Sequence, residues 1–165
     1  MKHIALVVLA ACLAPVSQAR AQDLGVQAFG LRSGISMNPD QFHFGVYLNA
    51  GHFTDRVRFQ PSFEVGLGNG LKLGTVNADA LYLFASRRWR PYAGGGLGIN
   101  FIDVTDGVGQ DRGLEIEPVL NVVGGIEWGV SKGKTGSRNL HRYLLEARLG
   151  LGDTPELKIT AGITF

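Results

Sequence analysis

The residues of this 165-residue chain that could do chemistry are few and scattered. His43, His52 and His141 stand far apart, with no metal-ligand spacing among them, so neither a metal nor a cofactor is expected. The simplest reading places all three at solvated or rim positions. One constellation has the residue types for nucleophilic catalysis: Ser36, Asp40 and His43 offer a hydroxyl, a carboxylate and an imidazole within a short stretch. His141, in "NLHRYLLE", has no serine beside it. "GGGLG" (94–98) invites a phosphate-loop reading, but no lysine follows and no strand-loop-helix surrounds it. Taken together, these residues do not compose an active site, and the chain reads as a non-enzyme.

Charge and the N-terminal segment narrow the classes further. A formal net charge of +2 gives no reason to expect nucleic acid as a partner. Met1-Lys2-His3 is a short basic start, followed by the apolar run from Ile4 to Ala14 and by Ala19-Arg20-Ala21. That three-part layout predicts a secretory signal over 1–21 and a single mature domain over 22–165. The one cysteine, Cys12, lies inside the signal. "LAAC" (9–12) also resembles a lipobox, in which Cys12 would be lipidated. With cleavage after Ala21 the mature chain carries no thiol, which removes disulfides and thiolate chemistry.

The remaining positions must build whatever holds these side chains, and they alternate. In "VRFQPSFEVGLG" (57–68), Val57, Phe59, Pro61, Phe63, Val65 and Leu67 oppose Arg58, Gln60, Ser62, Glu64, Gly66 and Gly68. Period-2 patterning of this kind marks a strand with one apolar and one polar face. "FHFGVYLNA" (42–50) and "YLLEARLGL" (143–151) repeat it. "DLGVQAFGLRSGI" (23–35), "TVNADALYLF" (75–84), "PYAGGGLGINF" (91–101), "EPVLNVVGGIEWG" (117–129) and "LKITAGITF" (157–165) follow it more loosely. Between them lie turn-rich stretches, including Asn69-Gly70, "GHFTDR" (51–56), "SRRWR" (86–90) and "DVTDGVGQDRG" (103–113). The prediction is all-β: an eight-stranded antiparallel up-and-down β-barrel, its strands about nine to thirteen residues long and able to cross a bilayer when tilted.

Alternation alone admits two opposite barrels. A lipocalin-like periplasmic carrier would turn the apolar rows inward around a small apolar ligand; a transmembrane barrel turns them outward to lipid. The composition of the polar face favours the second. It is mostly Gly, Asn, Ser and Gln with scattered ions of both signs, which suits a narrow interior that must be filled and neutral. Arg58, Glu64, Glu127, Glu146 and Arg148 are the expected interior ion network, with Asp79 and Lys158 on the same face. Phe59, Tyr82, Phe84, Trp89, Tyr92, Trp128, Tyr143 and Phe165 are expected as an aromatic girdle at one rim. Arg56, Arg87, Arg88, Arg90, Lys132, Lys134, Arg138 and Arg142 make that rim basic. Asp40, Asp103, Asp106, Asp111, Glu115, Glu117, Asp153 and Glu156 make the other acidic.

"RPYAGGGLGINF" (90–101), "VVGGIEWGV" (122–130), "YLLEARLGLG" (143–152) and "LKITAGITF" resemble the small outer-membrane β-barrel proteins of OmpA-type and OmpX-type architecture. The resemblance spans the mature chain in layout and implies a cell outer-membrane location in a Gram-negative-type bacterium. It also implies that Leu157, Ile159, Ala161, Ile163 and Phe165 form the signal read by the barrel-assembly machinery. Outer-membrane lipids and lipopolysaccharide follow as partners, with a monomeric state and a structural or surface-interaction role. Two features depart from the adhesins and larger members of that family: only 103–113 exceeds a tight connection, and no peptidoglycan-binding domain is expected within these 165 residues. Some barrels of this kind modify lipid A with a His, a Ser and an acid, and only the Ser36–Asp40–His43 cluster offers such a set.

Overall fold

A computed structural model describes residues 23–38, 40–68, 71–86, 89–105, 111–131, 140–151 and 156–165. The expected signal with Cys12, Asn69-Gly70, Arg87, Arg88, Asp106, Asp153 and the basic positions Lys132, Lys134 and Arg138 lie outside them. Eight strands run in chain order: β1 (Asp23–Met37), β2 (Gln41–Thr54), β3 (Val57–Gly68), β4 (Leu71–Leu83), β5 (Trp89–Thr105), β6 (Asp111–Ser131), β7 (Leu140–Leu151) and β8 (Glu156–Thr164). Each pairs antiparallel with its sequence neighbours, and β8 closes on β1 from Gly30↔Thr164 to Met37↔Leu157. Closure removes the two open edges that an eight-strand meander would otherwise leave unpaired.

The strands overrun several stretches that turn chemistry had marked as connections. "GHFTDR" is mostly β2, which passes through Gly51 at φ 95° and leaves Asp55-Arg56 as the turn. Only glycine adopts that backbone without strain, and the ladder on both sides is irregular there. "DVTDGVGQDRG" continues the β5–β6 ladder through Asp103↔Leu114 and Thr105↔Asp111. β6 has 21 residues where β8 has 9. At about 3.3 Å per residue and a tilt near 40°, nine residues already span roughly the 25 Å apolar band of such a barrel. The outer ends of β5 and β6 therefore reach beyond the band.

Burial alternates in the sense opposite to a water-soluble protein. Along β3, Arg58, Gln60, Ser62 and Glu64 are buried while Phe63 and Leu67 are each 47% exposed. On β2, Gln41, His43, Tyr47 and Asn49 are buried and Phe42, Phe44, Val46 and Leu48 exposed. Apolar rows face out and polar rows face in, so the carrier arrangement, with its apolar lining, is overturned.

Candidate functional site: the ionic interior and the aromatic rim

Two-residue spacing puts Glu146 and Arg148 on the inner side of β7, and register brings the other strands' ions to meet them. Arg148 donates to both carboxylate oxygens of Asp79 (3.2 and 2.7 Å) and to Glu146 Oε1 at 3.2 Å. Arg32 reaches Glu146 Oε1 at 3.3 Å, pairs closely with Glu64, and donates to Ser62 Oγ at 2.6 Å. Lys158 lies 3.3 Å from Glu64 and 3.2 Å from Glu156. Arg58 and Glu127 form a separate pair at 2.5 Å. Among the described residues the buried ions are four cations (Arg32, Arg58, Arg148, Lys158) and five carboxylates (Glu64, Asp79, Glu127, Glu146, Glu156). Near-balance is what makes the burial tolerable, because each desolvated charge finds an opposite one.

Of the five ions read from the sequence, Glu146 meets Arg148 and Arg58 meets Glu127, while Glu64 is held by Arg32 and Lys158. Arg32 joins two carboxylates and was missing from that reading. β1's ladder slips between Leu24 and Ala28, which breaks the alternation that would have placed Arg32 on the inner face. The local signal is Gly30, Arg32, Gly34 and Ser36 set against Phe29, Leu31 and Ile35. Glu156, expected on the acidic rim, is instead interior, since it shares the inward parity of Lys158 and Thr160 on β8.

Two tyrosines pack among these ions. Tyr92 is interior at 2% exposure, which corrects its place in the girdle. Its hydroxyl donates to Glu146 Oε2 at 2.8 Å, and the Arg58 guanidinium lies over its ring at 5.5 Å. Room for it comes from Gly125, where an added Cβ would stand 2.5 Å from the ring. Tyr47 is accommodated in the same way by Gly30 and meets Thr164 Oγ1 at 2.5 Å. Two glycines of "GGGLG" follow this logic: a Cβ at Gly96 would run into the Asp79 carboxylate and one at Gly98 into the Asn77 side chain.

The histidines separate. His43 is buried inside β2 and pairs through Nε2 with Thr160 Oγ1 at 2.9 Å, not solvated as expected. Its position between outward Phe42 and Phe44 forces it inward. Ser36 turns its hydroxyl to the Gln41 carbonyl at 3.5 Å, so the Ser36–Asp40–His43 set shows no hydroxyl-imidazole pair. His141 packs edge-on against Phe165 (5.4 Å), and His52 is half-buried near the same rim. Among the described residues no group of three or more His, Cys, Asp or Glu could hold a metal ion.

Outside, the rim that carries Asp23 and Phe165 is lined by ring pairs: Trp89–Trp128 (5.7 Å), Trp128–Tyr143 (6.2 Å), Phe29–Phe165 (5.4 Å), Tyr82–Phe84 (5.0 Å) and Phe53–Phe59 (5.3 Å). Phe29 and Phe53 join seven of the eight rings read from the sequence. In the β2–β3 turn Arg56 donates to the Tyr82 hydroxyl at 3.1 Å, and that bond raises the guanidinium above its ordinary pKa. Between the rims the outer wall is apolar, with Leu97 at 64%, Leu120 at 51% and Leu145 at 46% exposure.

The N-terminal β-barrel domain of Pseudomonas aeruginosa OprF superposes with a TM-score of 0.65 at 16% identity, over 86% of this chain and 98% of that one. The fold is that of the small outer-membrane β-barrels. Neisserial surface protein A (NspA) matches with a TM-score of 0.64 at 16% identity, over 83% of this chain and 93% of that one. Ail, the attachment invasion locus protein of Yersinia pestis, gives 0.50 at 13% identity, over 87% and 100%. No family model and no curated protein matches the sequence. What this chain shares with those outer-membrane barrels is the eight-stranded wall, and its interior ions are described from its own residues.

Proposed function

We propose that this chain is an integral protein of the bacterial outer membrane with a structural or surface-interaction role and no catalytic one. The observation that carries the reading is the inverted wall: apolar rows exposed outside, paired ions buried within. Only hydrocarbon makes an exposed apolar band of this kind favourable, and only a closed barrel lets strands enter it. The rim with Asp23 and Phe165 faces the periplasm in this reading. The outward row Leu157, Ile159, Ala161, Ile163 and Phe165 on the closing strand is the segment engaged by the assembly machinery. At the far rim, acidic side chains such as Asp40 and Glu115 engage divalent cations among lipopolysaccharide phosphates. The test is fractionation of expressing cells: the protein should sediment with outer membranes, resist urea extraction, and migrate differently on gels before and after boiling. Recovery in the soluble periplasmic fraction would overturn the proposal.

A further inference from the structure

The Phe165 rim carries a cleft of about 410 Å³ that neither the ion network nor the apolar wall explains. It lies between the β2–β3 turn on one side and residues 83–86 with Arg90 on the other. Two backbone hydrogen bonds fix its walls: Leu83 N donates to Arg56 O at 2.7 Å and Phe84 N to Pro91 O at 3.0 Å. Arg56, Arg90 and His52 line it together with the hydroxyl-bearing Ser86, and among the described residues Asp55 is the one carboxylate in the lining. Leaving His52 uncounted, two guanidiniums face one carboxylate, so the cleft is cationic. Arg56 is held by the Tyr82 hydroxyl, which pre-positions a donor that would otherwise be a free surface side chain.

We infer that this cleft binds the phosphate of an anionic glycerophospholipid; the inference rests on the membrane reading above. Guanidinium pairs suit a phosphate diester, whose oxygens accept two parallel N–H donors. The cleft's surroundings select a lipid as the source of that phosphate. Phe84, 47% exposed, is part of its lining, and Tyr82 (38%) and Trp89 (48%) flank it as members of the aromatic girdle. Aromatic belts lie at headgroup depth, so a headgroup seated between Arg56 and Arg90 leaves its acyl chains on the apolar wall. Basic pockets at this level of a membrane protein recognise acidic headgroups by the same forces.

Both tryptophans of the chain report from this rim, Trp89 beside Arg90 and Trp128 tilted against Trp89 with ring centroids 5.7 Å apart. The protein is reconstituted in phosphatidylcholine vesicles carrying either brominated phosphatidylglycerol or brominated phosphatidylcholine, and quenching of tryptophan fluorescence gives the relative affinity of the two lipids. Each well-placed guanidinium near a membrane surface strengthens anionic-lipid binding roughly fivefold. The wild type should therefore prefer phosphatidylglycerol several-fold, and the Arg56→Ala/Arg90→Ala variant should show a ratio near one while keeping its heat-modifiable migration. Equal quenching by both lipids in the wild type would overturn the inference, as would a preference that survives the double substitution. Loss of the preference on adding inorganic phosphate, against chloride of matched ionic strength, would assign the cleft to a free anion instead. If the membrane reading itself were wrong, neither brominated lipid would quench, which is a different result from equal quenching.

Discussion

Leu145 and Glu146 are adjacent on β7 and occupy opposite surroundings. Leu145 is 46% exposed on the outer wall; Glu146 is 1% exposed and contacts Arg32, Arg148 and Tyr92. In water this pattern would be unfavourable on both sides. In a bilayer the outward leucine exchanges nothing, because lipid tails are as apolar as its own side chain. The inward carboxylate is tolerable only because each of its oxygens has a partner. One face of the wall is thus forgiving of shape and intolerant of charge, and the other is the reverse.

The largest break in that contrast should come from removing the hub of the interior. Glu146→Ala takes one of two carboxylates from both Arg32 and Arg148, which keep Glu64 and Asp79, and leaves Tyr92 without its acceptor. With three buried groups losing a contact at once it should cost about 3–5 kcal/mol, the range for removing one partner from a buried ion pair. Leu145→Ala in the same membrane should change stability far less. Urea titration of vesicle-embedded protein, followed by the heat-modifiable gel shift, compares the two, and equal losses would dissolve the distinction.

Charge placed on the outer wall tests the opposite face. Leu97 is the mid-strand residue of β5 and faces out at 64% exposure. Leu97→Arg should cost roughly 2–4 kcal/mol in a bilayer, as charged substitutions on a lipid face do near the midplane. A neutral effect in the same titration would mean that water, not lipid, covers that face.

A smaller effect is expected from crowding the interior without altering charge. Gly125→Ala drives a methyl into the Tyr92 ring and should cost about 1–3 kcal/mol, the usual penalty for overpacking. The accompanying loss of the Tyr92–Glu146 hydrogen bond should appear in the ultraviolet absorbance of the tyrosine. Smallest of all is Phe165→Ala, which removes a ring stacked on Phe29. It should lower stability by about 0.5–1.5 kcal/mol. Its yield of inserted barrel in cells should fall by more than that stability loss accounts for if β8 is the strand engaged during assembly. A proportionate yield would leave Phe165 a packing role alone.

Much of the wall is legible in the sequence, and unevenly so. β3 runs Val57–Gly68 as its strict alternation indicated, because every residue in it feels one of two solvents. β6 outruns the stretch 117–129 because Asp111–Ile116 pairs on with β5, a partnership hidden by the turn-forming residues of 103–113. Tyr92 was assigned to the girdle on residue type, whereas parity with Gly94 and Gly96 turns it inward. Arg32 was hidden by a bulge that resets parity within β1. His43 could have been read as interior from Phe42 and Phe44 on either side. The partnerships among ions were not legible at all, since they depend on register between strands distant in sequence, such as Arg148 with Asp79.

The central claim is that the apolar outer wall faces hydrocarbon. Nitroxide side chains placed one at a time at Phe63, Val76, Leu97, Leu120 and Leu145, in a Cys12→Ala background and reconstituted in vesicles, report that directly through collision with oxygen or with a water-soluble nickel chelate. High oxygen and low nickel accessibility at all five is the expected result; nickel accessibility equal to that of a label in water would contradict the account.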